Sequence, residues 1–140
     1  MKRVTLRAEE GASLSSGSLR LYAIAEEDDG EGALHPVGAV DLYAYDPLNR
    51  RCAVGIMVAT EQRRRGYATA MLQELERMGR ETFALHQFYA AIAATNEVSL
   101  ALFGKAGYRE CGRFEEWLVV GERYVDCVRM QRGLGGDDEG

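Results

Sequence analysis

The sequence offers little that could hold a fold together by covalent or metal bonds. Its three cysteines, Cys52, Cys111 and Cys127, are odd in number, far apart, and lack the close pairing or neighbouring histidines that zinc sites use. They read as reduced thiols, and no metal site follows from their spacing. Long apolar runs are missing as well. None approaches the roughly 18 residues that span a bilayer, and the first residues have no apolar core of a secretory signal. The expectation is a cytoplasmic protein with no membrane partner. Positive charge is not in excess: 17 Lys and Arg against 22 Asp and Glu give a formal net charge of -5, which argues against wholesale nucleic-acid binding. Two phosphate-binding patterns with glycine-rich turns, Gly-x-Gly-x-x-Gly and Gly-x-x-x-x-Gly-Lys-Ser/Thr, do not occur, so neither a dinucleotide nor a triphosphate is the expected ligand.

What is present suffices for one domain. A chain of 140 residues, 46% of them hydrophobic, can build a single sizeable core. The most informative stretch runs from Val54 to Ala70: an apolar β-like run, the basic turn Arg63-Arg64-Arg65-Gly66, and the opening of an amphipathic helix. Backbone N–H groups at a helix start lack intrahelical partners and share the positive end of the helix dipole, so a turn at Arg63 to Ala68 points several donors at a phosphate. Gly66, without a Cβ, lets the backbone curl and approach a ligand closely. On these six residues alone an anion site and a solvated arginine run stand level.

Along the chain, Ser18 to Ala25 alternates as a strand, and Glu26 to Leu34 reads as an acidic, mobile loop. Val37 to Tyr45 and Arg51 to Ala59 are strand-like and flank the turn Asp46-Pro47-Leu48-Asn49, where Pro47 fixes φ. Together these predict a three-strand antiparallel meander. Ala68, Met71, Leu72, Leu75 and Met78 recur at three and four, which predicts a helix from Tyr67 to about Arg80 with Gly79 as its stop. A strand over Gln87 to Ala94 and a helix over Glu97 to Lys105 follow. Strands at Tyr108 to Arg113, Glu116 to Val120 and Glu122 to Gln131 close the domain, with Gly121 at a hairpin turn. Residues 1–17 form a poorly defined segment, 18–131 the single domain, and 132–140 a tail expected to be disordered from Leu134 on.

Arg63-x-x-Gly66-x-Ala68, placed directly after a strand, resembles the acyl-CoA pyrophosphate loop of the GNAT superfamily of N-acyltransferases. Leu85 to Tyr108 is similar to that family's next strand, its asparagine, and a helix ending in a Lys-x-Gly-aromatic signature. Through Met130 the likeness is nearest to the branch of spermidine and diamine N-acetyltransferases and ribosomal-protein N-terminal acetyltransferases, and it covers residues 36–131. The resemblance implies an α/β (α+β) fold with a mixed, mostly antiparallel central sheet and flanking helices. It implies acetyl-CoA as co-substrate and no metal. The pantetheine arm would be held by exposed backbone groups of Ile56, Met57 and Val58, where their strand splays from the one at Gln87. A backbone N–H near Met57 or Val58 would polarise the thioester carbonyl. Arg63, Arg64, Arg65, Gly66, Tyr67, Ala68 and Thr69 would carry the pyrophosphate. Asn96 would touch the pantetheine or an ordered water, and Lys105 would approach the CoA phosphates. Both also have plain structural readings, Asn96 as a helix N-cap and Lys105 as a cation at a helix C-terminus.

The chain also departs from that pattern. Many of these acetyltransferases carry a tyrosine seven residues after the asparagine, where it protonates the departing thiolate; here Phe103 stands there. Tyr108 reads as a core residue. No carboxylate lies on Ala53-Val54-Gly55, where relatives often place a base, and Asp41, Asp46, Glu115 and Glu116 are candidates with solvated structural readings. His86 reads as a packed or capping histidine, so the catalytic residues stay unassigned. The family's N-terminal strand and two lid helices, which roof the acceptor site, are shortened or absent: only Met1 to Gly17 precedes the first predicted strand. A homo-oligomer, in which another subunit completes the lid, is one explanation. The resulting expectation is an acetyl-CoA-dependent N-acetyltransferase (a transferase and acyltransferase) acting on a primary amine, a polyamine-like small molecule ahead of a protein N-terminus. The acidic body suits such an amine. The alternative is a non-catalytic CoA-binding or oligomer-forming module.

Overall fold

The computed structural model describes residues 2–26 and 36–135. Most of the predicted acidic loop and the last residues of the tail lie outside them. Strands β1 (Val4–Arg7), β2 (Leu19–Ala25), β3 (Pro36–Asp46) and β4 (Arg51–Val58) lead to helix α1 (Tyr67–Glu81). Then come β5 (Gln87–Ala93), helix α2 (Glu97–Lys105), β6 (Arg109–Val120) and β7 (Arg123–Gly133). The strands form one sheet in the order β1-β2-β3-β4-β5-β7-β6. Every neighbouring pair is antiparallel except β4 and β5, which are parallel because α1 carries the chain back between them. The expected meander is β2-β3-β4, and its turn closes as the chemistry suggests: the Asp46 carboxylate accepts from the Asn49 backbone N–H at 2.9 Å.

One face of the sheet builds the core. Leu21, Val40, Leu42, Cys52 and Phe88 meet Met71 and Leu75 of α1, all within 1% exposure, and burying each large side chain of this kind stabilises by about 1.5–3 kcal/mol. Phe103 of α2 and Tyr108 join the same cluster, so both helices lie on that face.

Four expectations change. Gly79 does not stop α1; it sits inside the helix, where a Cβ would fall 2.6 Å from Phe88 and 2.7 Å from Leu134. Its role is close helix–sheet packing. Leu134 is not part of a free tail: it is 2% exposed, and its N–H donates to the His86 carbonyl at 2.8 Å. The two strands predicted over residues 108–120 are one strand with a bulge, where Glu116 takes φ 47° and its N–H donates to Asp126. Finally, residues before Ser18 do contain a strand, the four-residue β1, paired with β2. Between β1 and β2 the chain has a single 3-10 turn, Leu14–Ser16. The lid helices that the resemblance would put there are thus replaced inside the chain by a short connection.

Candidate functional site

The parallel pairing of β4 and β5 lasts three positions, from Arg51 opposite Gln87 to Ala53 opposite Tyr89. Beyond these, β4 stays with β3 as far as Val58 while β5 stays with β7 as far as Ala93. A cleft opens between the two strands. Backbone groups on a strand alternate in direction, and two hydrogen bonds fix the phase. The Gln87 N–H donates to the Arg50 carbonyl at 3.3 Å, and the Ala59 N–H donates to the Val37 carbonyl at 2.8 Å. Even-numbered residues of β4 therefore face the cleft and odd-numbered ones face β3. Ile56 and Val58 present backbone groups to the cleft. Met57 does not: its backbone faces β3, so closely that a Cβ on Gly38 would lie 2.4 Å from its carbonyl oxygen. Met57 contributes an exposed side chain on the sheet face away from the helices. The Val58 carbonyl is already engaged, accepting from Arg63 Nε at 3.2 Å. The Ile56 pair and the Val58 N–H remain for a ligand.

Both strands bordering the cleft run into helix N-termini at its mouth. At α1 the N-cap is Gly66, with φ 87° and ψ 4° and no side chain capping the turn. The first-turn N–H groups over Gly66, Tyr67, Ala68 and Thr69 are left to face outward. Arg64, at φ 62°, continues the curl. Arg63 folds back on Val58 and Arg65 leans on Gln62 at 3.4 Å, which leaves the backbone of the turn and Arg64 as the groups available to a ligand. Tyr67 is buried, and Lys2 lies over its ring with Nζ 5.2 Å from the centroid. Lys2 is a cation beside Gly66 that sequence reasoning missed, because only the pairing of β1 with β2 brings residue 2 there. A left-handed, uncapped helix start flanked by Lys2 and Arg64 fits a pyrophosphate.

At α2, Asn96 is the N-cap: its Oδ1 accepts from the Ser99 N–H at 3.1 Å. The cap position holds the side-chain amide at the cleft end of β5. Phe103 and Lys105 are not brought to the mouth. Phe103 is 2% exposed, its ring edge-on to Tyr108 at 4.9 Å between centroids, because it is the one residue of the helix fully turned into the core. Lys105 is exposed in the last turn, about 12 Å along the axis from the first residue of α2 at 1.5 Å per residue.

Of the acid–base candidates, Asp41 and Asp46 have their carboxylates engaged elsewhere. Asp41 accepts two bonds from Arg20, at 2.6 and 2.8 Å, and these hold its carboxyl below the usual range despite partial desolvation. Asp46 is held low by the Asn49 side chain and backbone, with Arg51 adding to the effect. Glu116 contributes its backbone N–H to Asp126, and Glu115 is exposed on the bulge. His86 is exposed, and only its backbone is used in packing. The Tyr108 phenol is buried and pushed well above its normal value by desolvation. Burial raises the Cys52 thiol to about 11, which makes it inert as a nucleophile.

The face of the sheet opposite the helices carries a second set of residues. Among the described residues no helix covers it. Tyr43 and Phe114 are 42% and 41% exposed there, and Arg129 packs its guanidinium carbon 5.3 Å from the Tyr89 ring centroid and 5.0 Å from that of Phe114. The sequence signal was two-residue alternation: Tyr89 falls between buried Phe88 and Ala90, and Arg129 between buried Val128 and Met130.

Residues 4–109 match the acetyltransferase (GNAT) domain model. The chain belongs to the GNAT acetyltransferase family. Spermidine N(1)-acetyltransferase of Vibrio cholerae is 26% identical over 94 residues, which span 67% of this chain and 54% of that relative; the chain thus matches about half of its length. Among solved structures, the Vibrio cholerae spermidine/spermine N-acetyltransferase SpeG in complex with manganese ions superposes at a TM-score of 0.80 with 19% identity, over 94% of this chain and 93% of that one. The Vibrio cholerae spermidine N-acetyltransferase in complex with CoA and spermine superposes at 0.76 with 21% identity, over 86% and 68%. At these identities the structural likeness establishes the mixed, mostly antiparallel GNAT fold. Among the described residues no helix is long and apolar enough to cross a membrane.

Proposed function

We propose that this chain is an acetyl-CoA-dependent N-acetyltransferase of primary amines. The observation that carries the reading is the cleft between β4 and β5, with donors from Ile56 and Val58 along it and the uncapped Gly66 helix start at its mouth. Amide groups of a pantetheine arm fit the first, and a pyrophosphate fits the second. Transfer forms the amide N–C bond, breaks the thioester C–S bond, releases one amine proton and leaves a thiolate that takes up a proton. The Val58 N–H is the donor available to the thioester oxygen as charge builds on it, the kind of stabilisation that dominates acyl transfer. With Asp41 and Asp46 held by arginines and other local partners, proton movement falls to the exposed Glu115 or Glu116 carboxylates, to water, or to an amine that arrives neutral.

Vibrio cholerae relatives named for spermidine put polyamines and diamines first among acceptors to screen, with peptide N-termini next. The test is release of free CoA thiol from acetyl-CoA across polyamines, amino acids and peptide N-termini, with CoA affinity measured separately by calorimetry. Sustained release with one amine class supports the reading. Tight CoA binding without release for any amine replaces it with a CoA-binding module, and no CoA binding removes both.

A further inference from the structure

We infer that the acceptor of this site carries a carboxylate beside its primary amine, and that Arg129 on the open sheet face receives that carboxylate. The inference rests on the amine-acetylation reading above and adds the acceptor's chemical class, which moves amino acids ahead of the polyamines that the relatives' names suggest. It starts from a groove of about 470 Å³ running across β5, β7 and β6. Tyr89, the last residue of β5 paired with β4, lines it. Arg129 stands opposite Ala91, two residues further along β5 and so on the cleft side of that last pair. The groove therefore borders the place where the β4–β5 cleft opens.

Its chemistry is one-sided. Arg51, Gln87, Gln131 and Arg129 line it together with the rings of Tyr89 and Phe114, and no lining side chain is a carboxylate. Arg51 is paired with Asp46 at 3.2 Å. Arg129 has no ion pair among the described residues. Its guanidinium carbon lies 5.3 and 5.0 Å from the Tyr89 and Phe114 ring centroids, a cation–π arrangement that leaves its five N–H donors without an acceptor side chain among the described residues. A guanidinium held beside two rings, with in-plane N–H donors that no described side chain takes up, suits a planar oxyanion. The same cation disfavours an acceptor with several ammonium groups, since like charges brought together in a partly desolvated groove repel. Tyr89, Phe114 and the neighbouring exposed Tyr43 add an aromatic wall. A small amino acid with an apolar or aromatic side chain satisfies all three features, with its amine directed at the cleft.

The experiment uses the full chain and matched acceptors: L-phenylalanine, L-phenylalaninamide and spermidine, assayed by thiol release across pH 7 to 9. The expected result is a kcat/KM for the amino acid at least about tenfold above that of its amide and of spermidine, the size of one charge-assisted hydrogen bond. The amide has the less basic amine, so its larger neutral fraction works against this preference rather than producing it. Arg129→Gln is expected to erase the preference through KM, and Arg129→Lys to restore it in part, because the charge returns without the planar fork. A direct readout does not depend on turnover: N-acetyl-L-phenylalanine is expected to bind the parent chain at least about tenfold more tightly than N-acetyl-L-phenylalaninamide. Equal binding of these two, or a preference for spermidine or the amide, overturns the role of Arg129 and leaves amine acetylation standing. Binding of the acid with no thiol release from any amine supports the oxyanion site and refutes the transferase reading instead.

Discussion

Replacing Gly66 with alanine separates the anion turn from ordinary stability, because the added methyl group meets almost nothing. Its nearest neighbour is Lys2 Cγ at 3.6 Å, an ordinary contact, so the cost arises from the backbone. At φ 87° and ψ 4° an L-residue is in the left-handed region, which costs about 1–2 kcal/mol relative to glycine. For a domain of this size that lowers the melting temperature by roughly 3–7 °C. The effect on CoA is expected to be larger. Relaxing φ toward the right-handed region rotates the first-turn N–H groups away from the site, and a lost hydrogen bond to a charged phosphate costs about 1.5–3 kcal/mol, which is roughly a ten- to hundredfold fall in affinity. Calorimetry with CoA and with dephosphorylated pantetheine, alongside thermal melts, measures both. Gly66→Asn is expected to melt closer to the parent, because asparagine tolerates the left-handed region. If Gly66→Ala binds CoA as tightly as the parent, or loses CoA and pantetheine equally, the phosphate does not rest on this turn.

Gly79→Ala sets a helix-propensity gain of about 1 kcal/mol against overpacking that typically costs about 1–3 kcal/mol, with the new Cβ 2.6 Å from Phe88; a lower melting temperature is expected, and a higher one shows that Phe88 and Leu134 can yield. Phe103→Tyr adds a hydroxyl to a ring that is 2% exposed, so a destabilisation of about 1–3 kcal/mol without faster turnover is expected; a raised kcat in a thiol-release assay shows that the ring reaches the thioester after all. Burial alone pushes the Glu76 carboxyl up, but hydrogen bonds from Arg132 and Arg80 prevail and its value is lowered. A carboxyl lowered on folding stabilises above its unfolded value of about 4.3 and loses that contribution as pH falls through the folded value. Glu76→Gln is therefore expected to flatten the acid limb of stability below about pH 4, read by melts from pH 2 to 6, and an unchanged limb removes the Arg132–Glu76 pair from the account.

The half of the molecule that carries the proposed cofactor site was legible in the sequence as local structure, because its determinants are local. The arginine-glycine turn, the apolar stripe of α1, and the asparagine three residues before Ser99 each state their geometry within one turn of backbone. What escaped is set by register between distant strands. The direction of the Met57 carbonyl follows from pairing with Ala39, and Lys2 reaches Gly66 only through β1. Gly79 looked like a stop because glycine usually ends helices, whereas tertiary packing of Phe88 and Leu134 required a residue without a side chain there. Phe103 was placed by counting from Asn96, and counting along a helix gives its azimuth only when the buried face is known. The bulge at Glu116 had no glycine to announce it; Asp126, across the hairpin, supplies the acceptor that holds it.

Under the proposed function, the chain between β1 and β2 bears on where acceptor selectivity would reside. The resemblance would put a roof of two helices above the cleft, but here a 3-10 turn takes their place, and among the described residues no helix covers the open sheet face. That face is fixed by strand alternation, which puts Tyr43, Tyr89, Phe114 and Arg129 on the side opposite the core. Those residues bring cation and aromatic surface, while the carboxylates Asp41, Asp46 and Asp126 are held by Arg20, Arg51 and Arg113. The net charge of the whole chain is therefore a poor guide to its acceptor. Long-range attraction of a cationic amine to an acidic body falls away within a Debye length of about 8–10 Å at physiological salt, whereas the inferred charge-assisted hydrogen bond to Arg129 would act at contact distance.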